Sequence, residues 1–328
     1  MFQKKILFIL FCSTLYTTTQ TSSFVELWPT QNNNAVISEP SWGRFGDTLL
    51  AFCHTLYFAY KNNCDFLYQP FTYSDQLVLD DICKKSSPEI EKAFKRKTIF
   101  CKTNDNPWLE KPSSDTLIQI PYFAESLNSP LFYTDWEDDF FKQLLINLIA
   151  PKKPLSLIPR PAEKISVAVH VRKGGTFESW STESKHGSHL YKSPHNEFYI
   201  EQIQLLSQLL NHPPLYVFLF TDDENPATLA KLFEKAVKIK SITFDYRRNN
   251  NHHNTNVLED FFSITQFDVL IRPDSNFSIM AEKIGSHEIV ISPGEFQAGL
   301  QVQTGAIKIK NAQKFWHAKR PLALKSAT

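Results

Sequence analysis

Glycine is scarce in this chain, with nine residues in 328 against 27 phenylalanines. That excludes collagen-like and low-complexity architectures, and it singles out the two places where glycines gather, Gly43 with Gly46 and Gly174 with Gly175. Excess charge is missing too. With 35 basic and 34 acidic residues, no global field draws the protein to nucleic acid or anionic lipid, so anion binding has to come from a local cluster. Cysteine is sparse and forms no Cys-x-x-Cys pair, which removes the usual structural zinc sites. What is present is ordinary globular composition: 42% hydrophobic and 21% charged residues argue against both disorder and a bundle of membrane spans.

The first residues are an exception to that evenness. Lys4 and Lys5 precede an apolar run from Ile6 to Cys12, and small polar residues follow to Ser23, the layout of a secretory signal or N-terminal anchor over 1–23. The run is short against the roughly 20 helical residues that span a bilayer. This layout predicts the secretory pathway, the periplasm or a membrane-anchored protein that associates with the membrane through its N-terminus; without signal function the protein would be cytoplasmic. Beyond that segment Cys53, Cys64, Cys83 and Cys101 admit three disulfide pairings, while Cys53, on an apolar helical face, equally suits a buried thiol.

The length predicts about two domains. AVIS, from Ala35, reads as a strand that passes through Gly43 and Gly46 into a helix from Asp47 to Lys61, where Leu49, Leu50, Cys53, Leu56, Tyr57 and Tyr60 recur at helical spacing. DFLYQP, TIFCK and DTLIQI supply further strands, and TDWEDDFFKQLLINLI opens a helix with Thr134 and Glu137 at capping-box spacing. Four prolines in residues 150–161 stop helix and central strand alike, marking a linker between an α/β domain over 24–149 and a second domain over 162–328.

In that second domain the apolar strands KISVAVHV, LYVFLF, SITF, DVLI and EIVIS alternate with amphipathic helices. Continuous apolar strands of this kind belong to a parallel sheet covered on both faces, a Rossmann-like domain. RRNNNHHNTN at 247–256 reads as a polar loop with His252 and His253 in solvent rather than on a metal.

Ligands of open parallel sheets bind beyond the carboxyl ends of the strands. Three such ends carry chemistry: His170 and Arg172, which share a face; Thr221, Asp222 and Asp223; and Arg272, Asp274 and Ser275 before a helix beginning SNFS. Two arginines and a helix N-terminus predict a diphosphate site, because guanidinium matches phosphate oxygens bidentately and free helical N–H groups favour an anion. Singly, each residue has a plainer use: Arg172 paired with Asp222, Asp223 capping the next helix, Ser275 as an N-cap. No Asp-x-Asp and no histidine cluster at metal spacing occurs at these ends, so no metal is expected.

HVRKGG, FTDD and DVLIRPDSNFSIMAEKIG resemble, in order and spacing, the three C-terminal motifs of the α-1,2/α-1,6-fucosyltransferase and protein O-fucosyltransferase superfamily. GRFGDTLLAF is similar to that family's N-terminal glycine motif, and the likeness runs over residues 36–292. It implies a GT-B-like α/β fold, two Rossmann-like domains with a cleft between them, and a metal-independent inverting transfer from GDP-fucose to a glycan or protein hydroxyl, with no cofactor and no nucleic-acid partner. Arg172 would hold the β-phosphate, His170 would line the same site, and Asp222, Ser275, Phe277 and Ser278 would contact the nucleotide, with Asp223 in the same set. Gly175 stands where the family has aspartate, and Asp47-Thr48 where it has Asn-Gln. Asp47 is the expected base, with capping of its helix as the plainer use. Phe177–His195, bearing Trp180, His186, His189 and Tyr191, suits an acceptor sugar. Two alternatives stand beside this reading, a GT-B transferase with another nucleotide sugar and a secreted, non-catalytic carbohydrate-binding or host-interaction protein.

Overall fold

The computed structural model describes residues 33–40, 43–99, 114–121, 134–173, 191–249, 251–297 and 302–310. The expected signal segment, Cys101, most of TIFCK, Gly174, Gly175 and residues 177–190 lie outside them. Among the described residues no helix is long and apolar enough to cross a membrane.

Two sheets organise the chain. The first holds β1 (Ala35–Ser38), β2 (Asp65–Leu67), β3 (Arg96–Ile99) and β4 (Thr116–Ile120) in the order β2-β1-β4-β3, every pair parallel. The second holds β5 (Ile165–Val171), β6 (Leu215–Thr221), β7 (Ile242–Tyr246), β8 (Val269–Ile271), β9 (Ile289–Gln297) and β10 (Val302–Ile309) in the order β10-β9-β8-β5-β6-β7. Here the expected all-parallel sheet gains an antiparallel edge, β10 on β9. Its last residues alternate Ile307, Lys308, Ile309, a period-two pattern, and a lysine on an edge strand discourages pairing with another chain.

The helices cover both sheets. α1 (Phe45–Asn62) lies on one face of the first sheet with α4 (Asp139–Leu148), and between them come the short α2 (Leu79–Ile82) and α3 (Pro88–Lys92). α5 (Asn196–Leu209) and α6 (Pro226–Val237) cover one face of the second sheet, α7 (Val257–Ile264) and α8 (Asn276–Ile284) the other. The expected capping box at Thr134 and Glu137 is not used. Asp135 Oδ1 takes the Glu137 N–H at 3.1 Å, and the helix starts later, with Asp138 Oδ1 accepting from the Phe141 N–H at 3.0 Å.

Strand alternation decides where β5 points. Ile165, Val167, Val169 and Val171 enter the core under α5 and α6, while Ala168 belongs to the opposite face. That opposite face joins the first sheet in one continuous core, with Val36, Ile118, Leu49 and Leu145 in the same cluster as Phe218, Leu270, Phe261 and Met280. The proline-rich segment lies along it: Leu155 and Ile158 pack on this core, and the Ile158 N–H donates to Ser263 Oγ at 2.9 Å. Cys64 and Cys83 are free thiols within the core, pushed up by burial to about 11 and about 12, and so are unsuited to nucleophilic work.

Candidate functional site

Each sheet has a switch point, where the chain leaves a central strand first to one side and later to the other. In the first sheet it lies between β1 and β4, and the segment after β1 opens α1; in the second it lies between β5 and β8, and the segment after β8 opens α8. Such crevices are where open α/β sheets take their ligands. The two switch points face each other.

Gly46 makes that approach feasible. A Cβ at this position would stand 2.3 Å from the Phe277 nitrogen and 2.7 Å from the Asn276 carbonyl carbon, so the N-terminal turns of α1 and α8 touch through backbone. Asn276 Nδ2 then donates to Asp47 Oδ1 at 2.7 Å, and the other carboxylate oxygen, Oδ2, accepts the Arg44 N–H at 3.0 Å. Asp47 is thus a helix-capping residue and a tie between the sheets, with both oxygens engaged. Phe277 extends the contact, its ring 5.5 Å from His170, 5.5 Å from Phe261 and 6.5 Å from Phe45.

His170 is the centre of the charge arrangement. Its ring is half-buried and its Nδ1 is buried without a hydrogen-bond partner. Burial pushes it down to about 4, and the guanidinium groups of Arg172, Arg44 and Arg272 press the same way against the opposing carboxylate of Asp222. The imidazole is therefore neutral at pH 7. Asp222 accepts the Lys173 N–H at 2.7 Å and meets Arg44 Nη1 at 3.6 Å, which brings a cation of the first sheet to a strand end of the second.

Other expected residues occupy more local roles. Asp223 Oδ1 accepts the Asn225 N–H at 2.7 Å, and Asn225, not Asp223, caps α6. Ser275 is the buried N-cap of α8, without a side-chain capping bond. Ser278 is buried, its hydroxyl donating to the Ser275 carbonyl at 3.1 Å. Arg272, the second arginine of the expected pair, is tied to Glu282 at 2.7 Å and to the Pro273 carbonyl at 3.1 Å, in a largely buried ion pair. A further cation of this neighbourhood is Arg44. The strand-end rule would have found it, since it directly follows Gly43 after β1, had it been applied to the first sheet as well as the second. Among the described residues no three His, Cys, Asp or Glu side chains gather as a metal-binding group.

Fold and site together define a two-sheet, Rossmann-like protein of the GT-B-like arrangement the motifs imply, with a cation-rich cleft between opposed switch points. No protein-family model matches the chain, and no curated protein matches it. Among solved structures it is similar to POFUT1 in complex with GDP-fucose, at 14% identity and a TM-score of 0.46 over 78% of this chain and 94% of that one. It is similar as well to NodZ α-1,6-fucosyltransferase soaked with GDP-fucose, at 12% identity and a TM-score of 0.44 over 86% and 100%; a further NodZ structure is from Bradyrhizobium. A variant of FUT1 from Arabidopsis thaliana in complex with GDP gives 12% identity and a TM-score of 0.45 over 81% and 72%.

Proposed function

We propose that the protein is a glycosyltransferase that holds a nucleoside diphosphate sugar in this cleft, with GDP-fucose the donor its motifs favour and a glycan or protein hydroxyl the acceptor. One observation carries the reading: Arg44 from one sheet meets Asp222 at a strand end of the other, in the neighbourhood of His170 and Arg172, where the N-termini of α1 and α8 abut. Two helix N-termini and two guanidinium groups supply positive potential already in place, which is what a diphosphate needs as it departs.

In this reading the acceptor oxygen attacks the anomeric carbon opposite the diphosphate, and Arg172 stabilises the charge that develops on the leaving group. Asp222 orients Arg44, and Phe277 with the N-terminus of α8 at Ser275 forms the wall against the nucleotide. Ser278 supports that wall from within, and Asp223 shapes the turn beside it. Asp47 holds the two walls together; to act as base it would first have to release Asn276 or the Arg44 N–H. If the first 23 residues act as a signal, the enzyme works in a compartment supplied with the donor.

Thermal denaturation with GDP, UDP, CMP and ADP tests the proposal, because a ligand of the native state raises apparent stability. GDP is expected to give the largest rise, unchanged by a chelator. Arg172→Ala is expected to weaken GDP binding about 10- to 100-fold, the worth of a charged hydrogen bond, while circular dichroism stays native. A stabilisation lost in chelator would replace the metal-free mechanism, and a preference for UDP would replace the donor.

A further inference from the structure

The turn between β7 and α7 belongs to no donor contact, yet it is built. Thr255 Oγ1 accepts the His252 N–H at 3.1 Å and donates to the His252 carbonyl at 3.0 Å, and the Thr255 N–H donates to that carbonyl at 2.9 Å. The Asn254 N–H donates to His252 Nδ1 at 3.4 Å, which orients that imidazole, and the His253 ring packs on it with centroids 4.0 Å apart. Tyr73 reaches the turn from the first sheet's side, donating its hydroxyl to the Asn254 carbonyl at 2.9 Å. Its backbone is left-handed, φ 69°, a conformation a bulky residue keeps only when its surroundings impose it. The Tyr73 ring lies edge-on to Phe45 at 6.1 Å, next to Arg44. The two histidines are thus fixed beside Tyr73 and Phe45, next to Arg44, and both are exposed.

We propose that His253 is the proton acceptor for the sugar-accepting hydroxyl, an assignment that rests on the transferase reading. An imidazole nitrogen takes the hydroxyl proton as the acceptor oxygen bonds to the anomeric carbon. The bond from that carbon to the diphosphate oxygen breaks, its electron pair leaves with the diphosphate, and the imidazolium returns its proton to solvent. The charges that reach His253 are His252 on its own turn, Arg44 at the N-cap of α1 and Asp222 just after β6. Partial desolvation, then His252 and Arg44, lower its proton affinity against Asp222, so the ring is neutral and able to accept at pH 7. The competing groups are committed elsewhere. Both oxygens of Asp47 hold hydrogen bonds, and His170 faces the donor wall with its Nδ1 buried.

The test uses GDP-fucose with water as the acceptor, because water undergoes the same proton transfer and requires no knowledge of the natural acceptor. His253→Ala is expected to slow GDP release on the order of 100-fold, to flatten the acidic limb of the pH–rate profile, and to regain rate when imidazole is added to the buffer. GDP affinity by calorimetry is expected to stay within about twofold, which a disturbed donor site would not allow. In the nucleotide-free protein, Arg44→Ala is expected to raise the His253 midpoint followed by NMR. Full rate in His253→Ala, a loss that imidazole does not rescue, or an unmoved midpoint in Arg44→Ala overturns the assignment while leaving the donor reading intact. A wild-type protein that neither binds GDP nor hydrolyses GDP-fucose overturns both.

Discussion

At the scale of single residues, burial sets the titration behaviour of His287 and His170, each pushed down to about 4. His287 is 2% exposed; its Nδ1–H donates to the Phe267 carbonyl at 2.8 Å, and its Nε2 has no hydrogen-bond partner. An unfolded histidine titrates near about 6.5, so between about 6.5 and 4 the unfolded chain binds more protons than the native one. Their contribution to stability is complete above that window and is lost as pH falls through it. Asp260 acts in the opposite sense: burial raises it to about 6 in spite of its Arg247 partner, and the stability linked to it is lost as pH rises through that value. His287→Gln is therefore expected to lose less Tm than wild type when pH is lowered from about 7 to 4.5, measured by thermal denaturation. Parallel curves would assign the acid loss to other groups.

Between elements, one glycine decides whether two helices meet. Gly46→Ala puts a methyl 2.3 Å from a backbone nitrogen that cannot rotate away, so α1 and α8 must separate. The expected cost is about 1 to 3 kcal/mol, as for other overpacked sites, and GDP stabilisation should fall with it because both walls of the cleft shift. A variant with native Tm and native GDP response would show that the approach is not required. Asp47→Ala removes the carboxylate that caps α1 and holds Asn276. It is expected to cost about 1 kcal/mol or somewhat more in chemical denaturation, with GDP affinity falling less than stability.

For the molecule as a whole, the two sheets share a core rather than a hinge. Val36 and Ile118 of the first belong to the same buried cluster as Ala168, Phe218 and Leu270 of the second, and Phe45 packs edge-on to Phe261 at 5.2 Å. Removing either sheet would expose the apolar face of the other, so heating is expected to give one transition, coincident in near- and far-ultraviolet circular dichroism and shifted as a unit by GDP. Two separated transitions, only one of them moved by GDP, would show that the sheets fold independently.

The sequence by itself determined the repeating strand-helix order and the placement of His170, Arg172 and Asp222 at strand ends. These follow from periodicity and from the short reach of a strand's own alternation, and β5, β6 and α6 lie where their patterns put them. It said nothing firm about β10, because an exposed two-sided edge strand carries little hydrophobic signal. Only the tertiary structure decided how the cations pair. Arg272 and Arg44 are equally charged on paper, but Arg272 pairs with Glu282, ten residues on in its own half of the chain. Arg44 meets Asp222 from the opposite sheet. His253 is the clearest case: in sequence it is one more polar residue in a loop, and the Tyr73 hydroxyl, 181 residues from Asn254 along the chain, ties that loop to the first sheet's side. Pairings between distant segments depend on how two independently patterned sheets dock, and local propensity carries no record of that.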